Sequence, residues 1–432
     1  MIGVVADDTT GANDIGIMFS NNQYSVKVVT FQEDMKLSSD VNVLIIDTDS
    51  RLDKPEVSYD KVFRATQYLK KLRCSLYYKK TCSVFRGNIG REFDAMMDAL
   101  GENFAVISLA FPKNGRKTVN GIHTVYGNLL EKSEFAKDPV HPTAESNLET
   151  ILQRQTKRKV SLIKLDVVRQ GTKKLYEEIE TARKKSNYCI IDSENQADLT
   201  VVAEAAHKYP MLCGSSAIAE ELPKFLDEKK LPGILERVRI TDDKGVLVIA
   251  GSLTPQTKAQ TAYLISGGMP VAVLDSRKVF VKESYVQEIA RITREAGAIL
   301  EQGQDVLIMA NNQEKVVAET KKIGEELKMD PLSVSKLVSA ALAEIAGQLV
   351  TKTGLKRLVV AGGDTSGTVC RRLGIKGNYV LREIETGLPS GLAMGRELLI
   401  VLKSGSFGKE HFLLQAVEHL KELSNLNKGA EY

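Results

Sequence analysis

At 432 residues the chain is too long for one ordinary hydrophobic core, and two domains, at most three, are expected. Its hydrophobic content of 43% and charged content of 26% are those of a globular protein. The net charge of +4 is dispersed, Lys157–Lys159 being the densest basic run, and Trp is absent, which argues against a nucleic-acid face or a base-stacking platform.

No stretch approaches a membrane span and no secretory leader opens the chain, so no membrane partner is expected. Five scattered cysteines (74, 82, 189, 213 and 370) without a C-x-x-C pair point to a reducing, cytoplasmic setting and away from structural zinc.

In chain order, short β-branched runs at 2–6, 26–31, 43–47, 76–80, 105–109, 160–165 and 188–192 alternate with helical patterns such as 57–73 and 91–100. The Lys/Glu-rich segment 220–243, with Pro223 and Pro232, reads as a boundary. A second series follows at 246–250, 271–274, 306–309, 358–361 and 398–402, with one long helical pattern over 321–347. The fold class implied is α/β: two α/β domains with mainly parallel sheets, at 1–235 and 245–432, with the active site in the cleft between them. The polar residues after 423 read as a frayed end.

Polar groups collect where strands end, which is where open α/β sheets bind ligands. The first strand runs into Asp7, Asp8, Thr9, Thr10 and Gly11, then Asn13 and Asp14. Asp47–Arg51 ends the third strand, Lys79–Asn88 another, and Phe111–Thr118, followed by His123, the next. Arg51, Lys80, Arg86 and Arg116 suit a carboxylate, because an Arg fork matches it bidentately. Asp8, Asp14 and Asn88 then suit hydroxyls. Cys82 reads as a small buried filler, since no base pairs with it. The five histidines show no metal-ligand spacing.

The second half has three glycine-hydroxyl turns after strands: Gly251–Pro255, Gly362–Thr368 and Lys403–Gly408. Glycines let a backbone approach phosphate, and helix N-termini donate to it. Lys403 would neutralise phosphate charge, and Asp364 would hold Mg²⁺ directly or through water. Neither G-x-x-x-x-G-K-[ST] nor an initial G-x-G-x-x-G is present, which argues against a P-loop protein and a nicotinamide enzyme.

With these motifs in order, the chain resembles the four-carbon acid sugar kinase family over nearly its whole length. The marks are Ala6–Asp14, Arg86–Asn88, Phe111–Arg116, Asp138–Pro142, Cys213–Ser216, Gly251–Pro255, Gly362–Ser366, Glu385–Pro389 and Lys403–Gly408. The resemblance implies ATP-dependent phosphorylation of the terminal hydroxyl of a short sugar acid such as threonate, erythronate or 3-oxo-tetronate. It also implies an N-terminal domain that binds the sugar acid and a C-terminal one that binds nucleotide. ATP contacts carry over to Ser252, Gly362, Gly363, Asp364, Thr365 and Gly405, with Lys403 and Ser404 beside them.

Asp8, with Asp7 second, is expected to orient or deprotonate the acceptor hydroxyl. Arg86, Asn88, Arg116, Asp14, Lys80, Arg51 and His123 are expected at the substrate. Where many relatives read Lys-Ile-Asp-Ser-Thr-Leu-Arg-Gly-Asn, this chain has Cys82 and Val84 in place of the Asp and Thr. That departure carries an alternative, a non-catalytic regulatory protein that binds nucleotide and sugar acid. A homodimer is left open.

Overall fold

The computed structural model describes residues 1–35, 37–38, 40–138, 140–234 and 240–425. Pro139 of the Asp138–Pro142 motif, the domain limit at 235 and the polar stretch from 426 lie outside them. The chain forms two compact units, Met1–Gly233 and Ile234–Tyr432.

The first unit contains β1 (Ile2–Ala6), α1 (Thr9–Ser20), β2 (Val26–Thr30), β3 (Val43–Asp47), α2 (Pro55–Lys71), β4 (Leu76–Lys80), α3 (Ile89–Leu100) and β5 (Ala105–Ser108). A small antiparallel sheet follows, β6 (Arg116–Val119), β7 (Ile122–Val125) and β8 (Asn128–Leu129). Then come α4 (Leu148–Gln153), β9 (Val160–Ile163), α5 (Leu165–Val168), α6 (Thr172–Arg183), β10 (Tyr188–Ile191), α7 (Gln196–Ala206) and β11 (Met211–Gly214).

The main sheet has the order β2-β3-β1-β4-β11-β5-β10-β9, and every pairing in it is parallel. From β1 the chain moves first toward β2 and β3, then back across to β4. Right-handed crossovers therefore put α1 and α2 on opposite faces. The reversal leaves a switch point between β1 and β4, where the carboxyl ends of the two strands splay their loops apart.

The second unit contains β12 (Leu247–Ala250), α8 (Pro255–Ser266), β13 (Val271–Leu274), α9 (Lys282–Glu301), β14 (Val306–Ala310), α10 (Glu314–Glu326), α11 (Pro331–Thr353), β15 (Arg357–Ala361) and α12 (Gly363–Arg372). It ends with β16 (Gly377–Glu385), β17 (Leu388–Ala393), β18 (Leu399–Lys403) and α13 (Phe412–Asn425). The order is β13-β14-β12-β15-β18-β17-β16, parallel through β18 and antiparallel at β17 and β16. Here the switch point lies between β12 and β15. Alternate residues of β12 enter different cores: Leu247 and Ile249 pack with α9 and α11, while Val248 and Ala250 pack with α8 and α13. Burial on both faces explains why these strands read as continuous apolar runs.

Two expectations are corrected here. The single helical pattern over 321–347 is two helices, because Asp330 caps a new one through the Ser333 amide (2.8 Å) and Pro331 stands at its first position. Also, α11 is by length and composition apolar enough to span a bilayer, although no such stretch was expected. Half of that window is buried, and Leu342, Ile345, Ala346 and Leu349 belong to a core of this unit.

Candidate functional site

In the first unit, polar groups gather at the β1/β4 switch point. Asp8 is the N-cap of α1: its Oδ1 accepts from the Gly11 amide (2.7 Å) and its Oδ2 from Thr10 (3.0 Å). A Cβ at Gly11 would lie 2.5 Å from Asp8 Oδ1 and 3.1 Å from Lys80 Nζ, so any larger residue would displace these two side-chain ends. Arg51, arriving from the loop after β3, grips both first-strand carboxylates. Its Nε and Nη2 donate to the two oxygens of Asp7 (2.7 and 2.9 Å), and its Nη1 donates to Asp8 Oδ2 (2.5 Å). Burial alone would raise the Asp7 carboxyl, but the Arg51 guanidinium, aided by Lys79 and Lys80, holds it at about 2.

Lys80 Nζ lies 3.5 Å from Asp14 Oδ2, which also accepts from Ser216 (2.6 Å). Burial outweighs these partners and raises the Asp14 carboxyl. Arg86 donates through Nη1 to Asp138 (2.6 Å) and through Nε to the Cys82 sulfur (3.4 Å), and stacks over the Phe135 ring. Burial raises the Cys82 thiol, but Arg86 and Arg51 pull it down to a net value below the ordinary range. Arg116 is buried, feels the charge of Cys82, Asp14 and Arg86, and donates to the Asn114 carbonyl (3.3 Å). Arg86 thus touches Cys82 directly, and Arg51 and Arg116 lie within electrostatic reach of it.

Two expected substrate contacts sit behind this edge. Asn88 donates to the Asp53 carbonyl (2.8 Å) and so fixes the loop that carries Arg51. His123 has no exposed surface, and both ring nitrogens are engaged, one with Thr118 (2.8 Å) and the other with the Ser83 carbonyl (2.9 Å). Burial pushes its imidazole down to about 3. His123 is a neutral pin between the β6–β7 hairpin and the β4 loop, a correction to its expected contact with substrate.

Two acidic groups went unassigned in the sequence. Asp138 holds Arg86. Asp47, at the end of β3, accepts from Thr9 (2.5 Å) and the Asp49 amide (3.0 Å). Burial, with the Asp49 carboxylate second, raises Asp47 to about 7. The signal for Asp47 was its place in a polar run after β3, and that for Asp138 its place in a motif of the family resemblance.

The second unit builds a different site at its own switch point. The loops after β12, β15 and β18 converge closely. A Cβ on Gly251 would lie 2.2 Å from Thr365 Oγ1, one on Gly405 2.4 Å from Ser252 Oγ, and one on Gly362 (φ +128°) 3.0 Å from Thr365 Oγ1. Ser252, Gly362, Gly363, Thr365, Ser404 and Gly405 are therefore brought together beside the N-termini of α8 and α12. Asp364, exposed, stands in the first turn of α12. Among the described residues there is no group of three His, Cys, Asp or Glu side chains placed to hold a metal.

Lys403 departs from expectation. Its side chain has no exposed surface, and its amine turns back onto Thr257 and the carbonyls of Ser404 and Gly405 instead of toward the loop surface.

A family model described as a sugar-binding N-terminal domain matches residues 2–222, and one described as a nucleotide-binding C-terminal domain matches 247–413. A 3-oxo-tetronate kinase from Pseudomonas savastanoi is 31% identical over 97% of both chains. The chain belongs to the four-carbon acid sugar kinase family. Within it, a D-threonate kinase from Salmonella typhimurium is 29% identical, again over 97% of this chain and 97% of that one. A solved structure from Haemophilus influenzae superposes with a TM-score of 0.72 at 28% identity, over 97% of this chain and 100% of the other. The family-model limits fall on the two units, so each gathered strand edge lies inside one matched domain.

The departure from the family's β4 loop also has a location. Val84 is buried in a small apolar cluster with Val125, Leu130 and Phe135, and the Arg86 guanidinium stacks on the Phe135 ring of that cluster. Cys82 touches that cluster on one side and Arg86 on the other.

Proposed function

We propose that the protein is an ATP-dependent kinase that phosphorylates the terminal hydroxyl of a short sugar acid, four-carbon in the first instance: threonate, erythronate or 3-oxo-tetronate. The observation that carries this is the pairing of two unlike strand-edge sites in one chain. One has carboxylates and three guanidiniums, suited to a polyhydroxy acid. The other has three glycine-hydroxyl loops at helix N-termini, suited to polyphosphate. Full-length relatives named as kinases of such acids support the reading.

In this reading Arg116 and Arg86 receive the substrate carboxylate, and Asp14 and Lys80 its hydroxyls. Asp8 accepts a hydrogen bond from the terminal hydroxyl and aims its oxygen at the γ-phosphorus. Asp7, locked as an anion by Arg51, steadies Asp8 through the shared guanidinium. Phosphoryl transfer through a loose transition state asks for alignment and charge neutralisation more than for a strong base, so ion-paired carboxylates are adequate. Ser252, Gly362, Gly363, Thr365, Ser404 and Gly405 cradle the phosphates. Magnesium, which takes one or two carboxylates and completes its shell with phosphate and water, fits the exposed Asp364 and would neutralise phosphate charge there. The transfer requires the acceptor hydroxyl and the γ-phosphate to meet. Cytoplasmic location belongs to the same reading.

The test is ADP release with ATP and Mg²⁺ against a panel of threonates, erythronates, 3-oxo-tetronates and longer aldonates. Release with one acid, reduced at least ~100-fold in kcat by Asp8→Asn, is expected. No release with any acid despite ATP binding would favour the non-catalytic reading. Near-normal kcat in Asp8→Asn would remove its role.

A further inference from the structure

The amine of Lys403 makes three contacts, with Ser404 O (2.7 Å), Gly405 O (2.9 Å) and Thr257 Oγ1 (3.1 Å). Gly405 O also accepts from Thr254 Oγ1 (2.7 Å) and Thr257 Oγ1 (2.9 Å). Further along the same loop, the two amide hydrogens of Gln260 Nε2 are shared among the carbonyls of Phe407 (3.1 Å), Gly408 (2.9 Å) and Lys409 (3.0 Å). Five carbonyls of one six-residue loop are thus held from within the protein by Lys403 and by side chains of or beside α8.

Two physical consequences follow. Carbonyl oxygens carry partial negative charge and would repel a phosphate, so drawing them inward clears the loop's outer side for one. The hydrogen count also matters. Thr257 has a single hydroxyl proton, and while it is given to Gly405 O the Lys403–Thr257 contact must take its proton from lysine. An ammonium has three N–H groups, and here all three are used inside the protein.

We propose that Lys403 is a positioning residue: it shapes the Ser404–Lys409 loop from beneath for nucleotide phosphates and does not touch them. The proposal rests on the ATP reading and deepens it. Burial pushes the Lys403 amine down to about 7, with the Glu385 carboxylate on β16 pulling the other way. Glu385 in turn accepts from the Lys409 amide (3.0 Å) and lies 4.0 Å from His411 Nε2. A neutral amine keeps only two N–H groups, so the hold on the loop weakens above neutrality.

The experiment measures hydrogen–deuterium exchange of residues 404–409 in the nucleotide-free protein, together with KM for ATP, KM for the acid and kcat. The variants are Lys403→Met and the milder Thr257→Val, which keeps the charge and carries the test if Lys403→Met does not fold. The expected result is about 10-fold faster exchange of the loop before any nucleotide is added, and a KM for ATP raised about 10-fold. KM for the acid stays within about twofold. Lys403→Arg should recover part of the ATP affinity.

Weaker ATP binding with unchanged exchange in the nucleotide-free loop would overturn the proposal in favour of direct phosphate contact. No change in either would remove any role for Lys403. Failure of the wild type to bind ATP would sink the kinase reading instead, while the exchange measurement would still report on the loop.

Discussion

Arg51→Ala offers the sharpest test of how the first-strand carboxylates are held. The change removes three charge-assisted hydrogen bonds, two to Asp7 and one to Asp8. The Asp7 side chain is 1% exposed and that of Arg51 15%, so the pair is largely out of water. Removing one partner of such a pair costs ~3–5 kcal/mol, most of it the stranded charge. The pH dependence gives the sign.

In the wild type, Asp7 titrates at about 2, below its ordinary 3.8, so its contribution is complete above 3.8 and is lost as pH falls through 2. Without Arg51, burial dominates and lifts the folded-state value above 3.8. The folded state then binds more protons than the unfolded one, and stability falls as pH rises. Urea unfolding at pH 5 and pH 8 should therefore show a larger deficit for Arg51→Ala at pH 8, and Asp7→Asn placed on top should recover part of it. A deficit that is the same at both pH values and indifferent to Asp7→Asn would refute the ion-pair account.

Two further outcomes are expected. Gly405→Ala places a methyl 2.4 Å from Ser252 Oγ; it should raise KM for ATP about 10-fold or more while leaving KM for the acid and the unfolding midpoint nearly unchanged, read by steady-state kinetics and thermal melts. His123 is neutral in the fold, with its value lowered from 6.5 to about 3. The unfolded chain takes up a proton below 6.5, so wild-type stability should drop by ~1.4 kcal/mol per pH unit from this group as pH falls from 6.5 toward 3. The cost of His123→Gln measured in urea should accordingly shrink by about 2 kcal/mol between pH 6.5 and 4.5; a cost independent of pH would show that the imidazole is not held neutral.

Much of this was legible in the sequence, for identifiable reasons. The parallel strands announced themselves because strands buried on both faces become apolar runs, as in Ile2–Ala6 and Val43–Asp47. Their turns were legible because polar groups and glycines cluster where such strands stop. The antiparallel pair β16–β17 was missed. Its second strand, Leu-Pro-Ser-Gly-Leu-Ala, has turn residues in its middle, and its first carries Arg382, Glu383 and Glu385. Partner strands fix both, which no local pattern reports. β11 was missed for a related reason: at four residues, ending in Gly214, it is too short for periodicity to register.

The site residues divide along the same line. Residue type and position after a strand told where Asp7, Asp8, Arg51, Ser252 and Gly362 would gather. They did not tell which way a long side chain turns. Lys403 and His123 were assigned by chemical type, and in each the structure spends every polar atom inside the protein. A buried cation or imidazole whose hydrogen bonds are all internal has none left to offer a ligand.

The same accounting bears on the β4 loop. Losing a hydroxyl at position 84 matters only if that side chain faces the substrate, and Val84 faces Phe135 and Leu130 in an apolar cluster. Cys82 is the consequential replacement. It stands among three guanidiniums, where a carboxylate would carry a full fixed charge and a thiol carries one only as far as Arg86 and Arg51 draw its proton off. In the proposed reading, that sulfur leaves Arg86 and Arg116 less neutralised toward an incoming carboxylate than a resident carboxylate would.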